Sequence, residues 1–256
     1  MHSPARVVDD MERLQKMFGV TDFEFFDDNF NFDAQRVVQF SEEIQRRNLK
    51  TQIAFPTGVR GDLMTEDVVE ALAAVGMYMC CFALDTASPR LQKYTGKNMD
   101  LDKFVTGLQL VSKRRIYLPG FFMMGFPTET EEELQLTTDM ACRPEFSTAA
   151  FYTVTPFPGT VLYEEMQKQH PEKLAGLHYD DMDLNGIRVN LTDLPDEVLF
   201  AYQRRAINRF FLDPGRLYRL VRDHPKPLTL PSYLPVFLYR ATKGLWTAGY
   251  KDSSIC

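Results

Sequence analysis

The feature that most constrains this chain is an alternation, a short apolar run followed by a capped amphipathic helix, repeated through the first two-thirds of the sequence. Ser3 can cap a first helix with Pro4 at its opening position, and Val7, Met11, Leu14 and Phe18 then recur on one face until Gly19 ends it. Phe23–Phe26 reads as a short buried strand, and Asp33 caps a helix whose inner face is Val37, Phe40 and Ile44. Thr51–Phe55 is a second strand. Thr65 opens a third helix, with Glu66 and Asp67 where the helix dipole favours acids and Gly76 at its close. Met77–Leu84 is an unbroken apolar run, as expected of a strand covered on both faces. Asp100 caps a helix built on Leu101, Phe104, Leu108 and Val111; Ile116–Met124 is the next strand, and Thr128 with Glu131 fits a capping box. Thr148–Val154 closes the series.

A repeated strand–helix unit requires a parallel sheet, flat or closed into a barrel, and periodicity alone leaves that choice open. The series opens on a helix where such a repeat normally opens on a strand, so a strand is expected ahead of Met1. Past residue 170 the pattern changes. Asp180, Asp181 and Asp183 lie in a polar stretch, helices are expected over Pro195–Leu212 and Pro214–Asp223, and Pro225, Pro227, Pro231 and Pro235 mark a loop. A last amphipathic segment, Leu234–Trp246, reads as helical packing on the outside of the main domain. Arg240 and Lys243 beside Phe237, Leu238 and Trp246 leave peripheral membrane contact as the other use.

Net charge is −6, so bulk charge gives no case for nucleic acid. The basic run Arg204, Arg205, Arg209, Arg216, Arg219 and Arg222 reads first as a solvated helix face and second as a surface for an anionic partner. Four cysteines, Cys80, Cys81, Cys142 and Cys256, fit neither a disulfide framework nor a compact metal motif, so no metal ligands are assigned and a reducing, cytoplasmic setting is expected. Cys80 and Cys81 are adjacent in a strand, point to opposite faces, and read as small buried hydrophobes.

Functional side chains of parallel α/β folds gather at the C-terminal ends of strands. The first strand runs into Asp27, Asp28, Asn29 and Phe30, which can bind an ammonium, a ribose or a hard cation, or can be an ordinary Asx turn. Arg60 and Asp62 follow the second strand; the arginine can grip a carboxylate, and a local surface pair is the plainer outcome. Asp85, Thr86, Ala87 and Ser88 follow the third, with Lys97 beyond, and can hold ribose oxygens or cap a helix. Gly120 and Gly125 bracket the fourth, where Gly125, Phe126, Pro127 and Thr128 allow close approach by a ligand or form a simple turn.

Together, the ordered series FFDDNF, R-x-D, FALDTASPRLQKYTGK, GFFMMGFPTET and TPFPGT resembles the radical S-adenosylmethionine superfamily over about residues 3 to 170. It is most similar to the branch whose members often carry a cobalamin-binding domain, and RAINRFFLDPGRLY at Arg205–Tyr218 resembles that branch's helical end. The resemblance implies an α/β fold: a partial (β/α)6 TIM-like barrel lacking its first strand over 1–170, with a C-terminal helical extension over 171–256. It implies S-adenosylmethionine and a [4Fe–4S] cluster as cofactors of the parent enzyme, cobalamin as a further one, and hydrogen abstraction from a small-molecule or lipid-like substrate.

By the same resemblance Asp28 and Asn29 approach the methionine amino group, and Arg60 steadies the carboxylate. Asp85 nears the ribose, and Gly125 and Pro127 lie beside the adenine; no catalytic residue is assigned. Asp85–Thr86 stands where the family has Glu followed by Ser, and Thr128 where it has Gly. The family's CxxxCxxC is absent, so no cluster is expected in this chain alone, which then reads as an inactive fragment shortened at its front. The alternative is a cluster-free binding protein that uses the same strand ends for another ligand.

Overall fold

The computed structural model describes residues 2–175, 189–224 and 227–232, with Leu177, Tyr179 and Pro235. Five strands, β1 (Asp22–Glu24), β2 (Gln52–Val59), β3 (Met77–Asp85), β4 (Pro119–Met124) and β5 (Thr148–Thr153), form one parallel sheet in the order of the sequence. β1 and β5 are its edges, so the sheet is an open part of a barrel. The helices are α1 (Pro4–Phe18), α2 (Ala34–Arg46), α3 (Glu66–Ala74), α4 (Pro89–Tyr94), α5 (Leu101–Lys113), α6 (Glu131–Ala141), α7 (Val161–Gln169), α8 (Pro171–Leu174), α9 (Asp196–Phe211) and α10 (Pro214–Asp223).

The expected caps form. Ser3 Oγ accepts the Arg6 amide, Asp33 the Arg36 amide, and Asp100 those of Asp102 and Lys103, and Gly19 ends α1 in the left-handed conformation. Gly76 is required between α3 and β3: its φ is +88°, and a Cβ there would collide with the Thr51 carbonyl. Cys80 and Cys81 are both buried, as is most of β3.

Several boundaries differ from expectation, each for a local reason. β1 is placed one residue earlier, with Phe25 adding one further amide bond to the Ala54 carbonyl. β2 continues through Pro56 to Val59, because the register shifts between Phe55 and Val59 and frees the proline from supplying a ladder donor. The capping box uses Thr130 and Glu133, not Thr128 and Glu131, because Thr128 is turned away in the left-handed conformation at φ 61°. The helix cap offered at Asp85–Ser88 forms at Ser88, which opens the short helix α4 with Pro89 next.

The core lies between the sheet and its helices. Phe25, Phe30, Phe40 and Phe55 pack ring to ring at 4.8–5.6 Å under the start of the sheet. Phe104, Phe122, Phe146, Phe151 and Phe210 continue the series to α9. The extension is therefore part of the same core through Leu199, Ala206 and Phe210. Arg216 pins α10 behind it: its guanidinium lies 3.6 Å from the Phe210 ring centroid and donates to the carbonyls of Phe210, Phe146, Cys142 and Arg143. Of the basic run, Arg209 pairs with Asp139 and Arg219 with Asp213, so half of it is structural. No described helix is long and apolar enough to cross a membrane. The polar stretch at Asp180, Asp181 and Asp183 and the segment Leu234–Trp246, apart from Pro235, lie outside the described residues.

Candidate functional site

The parallel order puts the C-terminal ends of all five strands on one edge of the sheet, so the loops that follow them form a rim in chain order. Side chains tie each of the first three loops to the next. After β1, Thr57 Oγ1 lies 3.5 Å from the Asp27 carbonyl, joining that loop to β2. Asn31, buried at 1% exposed, donates to the Arg60 carbonyl at 2.7 Å and accepts the Arg60 amide at 3.0 Å. Arg60 donates to the Lys97 carbonyl at 3.1 Å, and Lys97 Nζ meets Asp85 Oδ2 at 2.6 Å.

Asp28 and Asn29 sit exposed in a turn. Arg60 is different from the free grip its sequence position suggests. Its Nε and Nη2 form a fork on Asp62 at 3.0 and 2.6 Å, and its Nη1 is on Lys97. Asp62, itself buried, raises the guanidinium's proton affinity further and also accepts the Asp100 amide. Arg60 therefore positions the rim with every guanidinium nitrogen engaged.

Asp85 ends β3 in the left-handed conformation at φ 66°, which turns its carboxylate back over the strand end to meet Lys97. The two side chains are 27% and 24% exposed, so the pair is open to a ligand. An ammonium has three donors, and Lys97 has this one acceptor among the described residues. Lys97 is thus the available cation on this part of the rim. The sequence carried it as a distant neighbour of Asp85, twelve residues on; only the turn after α4 brings it back.

Gly125 and Pro127 are buried in the turn after β4, Gly125 at φ +95°. The space a Cβ would take at Gly125 is bordered by Leu199 of α9 at 3.4 Å and Thr153 at 3.6 Å, so the close approach there is by the protein's own side chains. The Gly125 and Phe126 amides both donate to Glu129 Oε2, at 2.6 and 3.1 Å. Glu129 is 2% exposed and its Oε1 has no hydrogen-bond partner among the described residues. Burial outweighs those two amides and pushes its carboxyl up to about 7. Glu129, like Asn31, was missed by sequence reading; a carboxylate two residues beyond a strand-end proline was its signal, since the amides of such a turn need an acceptor.

The cysteines do not converge with these residues. Cys80 and Cys81 lie within β3, and burial holds the Cys81 thiol up at about 12 and Cys80 well above its ordinary value. No group of three or more His, Cys, Asp or Glu suited to a metal ion occurs among the described residues.

The family model described as the radical SAM superfamily matches residues 1–141. Among curated proteins, an uncharacterized methyltransferase of Pyrococcus horikoshii is 30% identical over 223 residues, 87% of this chain and 48% of its own length. The cytidylyl-2-hydroxyethylphosphonate methyltransferase of Streptomyces wedmorensis is 27% identical over 170 residues, 64% of this chain and 32% of its own. The chain thus spans about half of the first relative and a third of the second. Among solved structures, the radical S-adenosylmethionine methyltransferase TsrM of Kitasatospora setae, with cobalamin and a [4Fe–4S] cluster bound, superposes at a TM-score of 0.58. It does so at 22% identity over 66% of this chain and 32% of its own. Coproporphyrinogen III oxidase of Escherichia coli superposes at 0.53, with 13% identity over 80% of this chain and 46% of its own; both share the fold.

Proposed function

The chain belongs to the radical S-adenosylmethionine superfamily, whose members use S-adenosylmethionine and a [4Fe–4S] cluster, and from that premise we propose that its rim holds S-adenosylmethionine within a longer enzyme acting on a small molecule. The observation that carries this reading is the Asp85–Lys97 pair, a carboxylate and an ammonium held together and open on the rim. A zwitterionic nucleoside asks for such a donor set. Lys97 answers its carboxylate, Asp28 and Asn29 its ammonium, Asp85 its ribose hydroxyls, and the apolar turn with Gly125 and Pro127 its base. Arg60 contributes by fixing the loop that carries Lys97. S-adenosylmethionine, when bound, supplies the sulfonium whose carbon–sulfur bond is the one broken in this family.

The cluster does not fit the residues present. A [4Fe–4S] centre in this family needs three thiolates on one loop, and the paired thiols of β3 are buried, protonated and inside a strand. We therefore assign the cluster cysteines to a part of the enzyme in front of this sequence and read the chain as its S-adenosylmethionine-holding portion, with residues 1–170 as the barrel part and 171–256 as an extension. Methyl transfer to a small molecule is the reaction we favour, because both relatives are named methyltransferases; cobalamin, bound in the Kitasatospora structure, is the cofactor that would join it. The free thiols of Cys80, Cys81 and Cys142 suit a reducing cytoplasm.

Calorimetric titration with S-adenosylhomocysteine tests the site. Asp28→Ala, Asp85→Ala and Lys97→Ala should each weaken binding by roughly ten- to a hundredfold, the worth of one charged hydrogen bond. Unchanged affinity in all three overturns the reading. Nucleoside binding with no cysteine motif encoded upstream would point instead to the cluster-free binding protein.

A further inference from the structure

Three described residues in the rim loops, Asp85, Asn98 and Thr128, take the left-handed conformation without being glycine. Asp85 tolerates it, since short acidic side chains are enriched there, but a β-branched threonine is an outlier that its surroundings must hold in place. The surroundings of Thr128 are specific. Arg90, at the start of α4, donates Nη1 to Thr128 Oγ1 at 2.9 Å and Nη2 to the Thr128 carbonyl at 2.8 Å. The other edge of the same guanidinium forks onto Glu133 of α6, at 2.9 and 2.6 Å. Glu133 is itself fixed by Ser88 Oγ at 2.5 Å and by the Thr130 amide at 3.0 Å. One planar cation therefore grips both polar groups of the strained residue and is anchored to the helix that the turn leads into.

Lys97, the cation that meets Asp85, lies three residues past the other end of α4. This short helix thus brackets the rim, with one left-handed residue contacted by a cation near each end. On the reading that this rim binds a nucleoside, we propose that Arg90 is a positioning residue for it. By holding Thr128 left-handed, it sets the turn at Gly125–Pro127 against the Asp85–Lys97 pair, and it does so without touching the ligand.

A double-mutant cycle on the full chain tests this. Arg90→Ala and Arg90→Lys are made with Thr128 present and again with Thr128→Gly, because glycine adopts this conformation unaided. Urea denaturation and calorimetric titration with S-adenosylhomocysteine are read for each. Arg90→Ala should lower the unfolding midpoint and weaken binding roughly tenfold with threonine present, and both losses should shrink to near zero in the Thr128→Gly background. Arg90→Lys should recover little, since one ammonium cannot fork between Thr128 and Glu133. Equal losses in the two backgrounds, in stability and affinity alike, would overturn the proposal. If the unsubstituted chain does not bind the probe at all, the nucleoside reading fails and takes the binding role with it. Coupling in the denaturation data would then still show that Arg90 holds the turn, and its absence would remove that as well.

Discussion

Glu129 shows how one side chain can set the pH response of a turn. Its carboxyl is held above its usual 4.5, at about 7, because burial penalises the charge more than two amides stabilise it. The folded state therefore holds this proton more tightly than the unfolded chain does. The associated stability is full below 4.5 and is lost as pH rises through about 7. A rise of that size corresponds to about 3 kcal/mol as an upper bound. Glu129→Gln keeps an oxygen for the Gly125 and Phe126 amides and cannot ionise. Relative to the parent, its unfolding free energy should increase between pH 5 and 8, measured by urea denaturation at each pH; a constant difference would mean that Glu129 does not titrate in this window. Residue roles were half legible in advance. Asp85 was placed at the end of β3, where it lies, because an apolar run that gives way to polar residues marks a strand end. Arg60 was assigned to a ligand because sequence spacing cannot reveal that Asp62 and the Lys97 carbonyl already engage all three of its guanidinium nitrogens. Lys97, which the sequence placed only beyond Asp85, and Asn31, which it did not single out, find their partners across 12 and 29 positions.

At the level of elements, helices were read well and turns less so. Ser3, Asp33 and Asp100 cap where expected because an N-cap is a local contact within three residues. The capping box slid by two residues because the sequence offers T-x-x-E twice, at Thr128 and at Thr130. The choice between them goes with the left-handed backbone of Thr128, which Arg90 of α4 contacts. The placement of α10 likewise draws on a distant contact. Arg216 is 3% exposed, and its four carbonyl partners lie on α9 and between α6 and β5. Desolvation lowers its proton affinity, to a pKa of about 10, yet it stays charged at neutral pH. Arg216→Lys keeps the charge but loses the planar fork and the stacking on Phe210. It should cost roughly 2–3 kcal/mol, with several buried carbonyls left short of donors. Urea midpoints for the two proteins measure it, and a loss under about 0.5 kcal/mol, the level of an ordinary surface change, would show that α10 is held by its apolar contacts instead.

For the molecule as a whole, the edges of the sheet decide behaviour in solution. β1 pairs only with β2 among the described residues, and Met17, Phe18, Phe26 and Phe32 beside it are each 65–69% exposed. An unpaired strand flanked by apolar side chains invites association. Light scattering coupled to gel filtration should give an apparent mass that rises with concentration, reduced by Phe18→Glu; a constant monomer mass would show that the edge is adequately shielded. The sheet's parallel class was legible because alternation of strand and helix permits little else. Its openness was not legible in periodicity, which flat and curved sheets share, and came from the family resemblance, which implied a partial barrel. The order β1-β2-β3-β4-β5 has one more outcome. Every strand docks on the one made just before it, so no strand waits for a partner not yet synthesised. The sheet can assemble vectorially as the chain leaves the ribosome, each βα unit templating the next at short loop-closure distance. The steps that reach far back come later, when Arg209 of α9 meets Asp139 and Arg216 closes on carbonyls 70 to 74 residues earlier. Release of α9 and α10 is then the event that closes this contact set, while the rim loops from β1 to β4 can already be laced together on the ribosome.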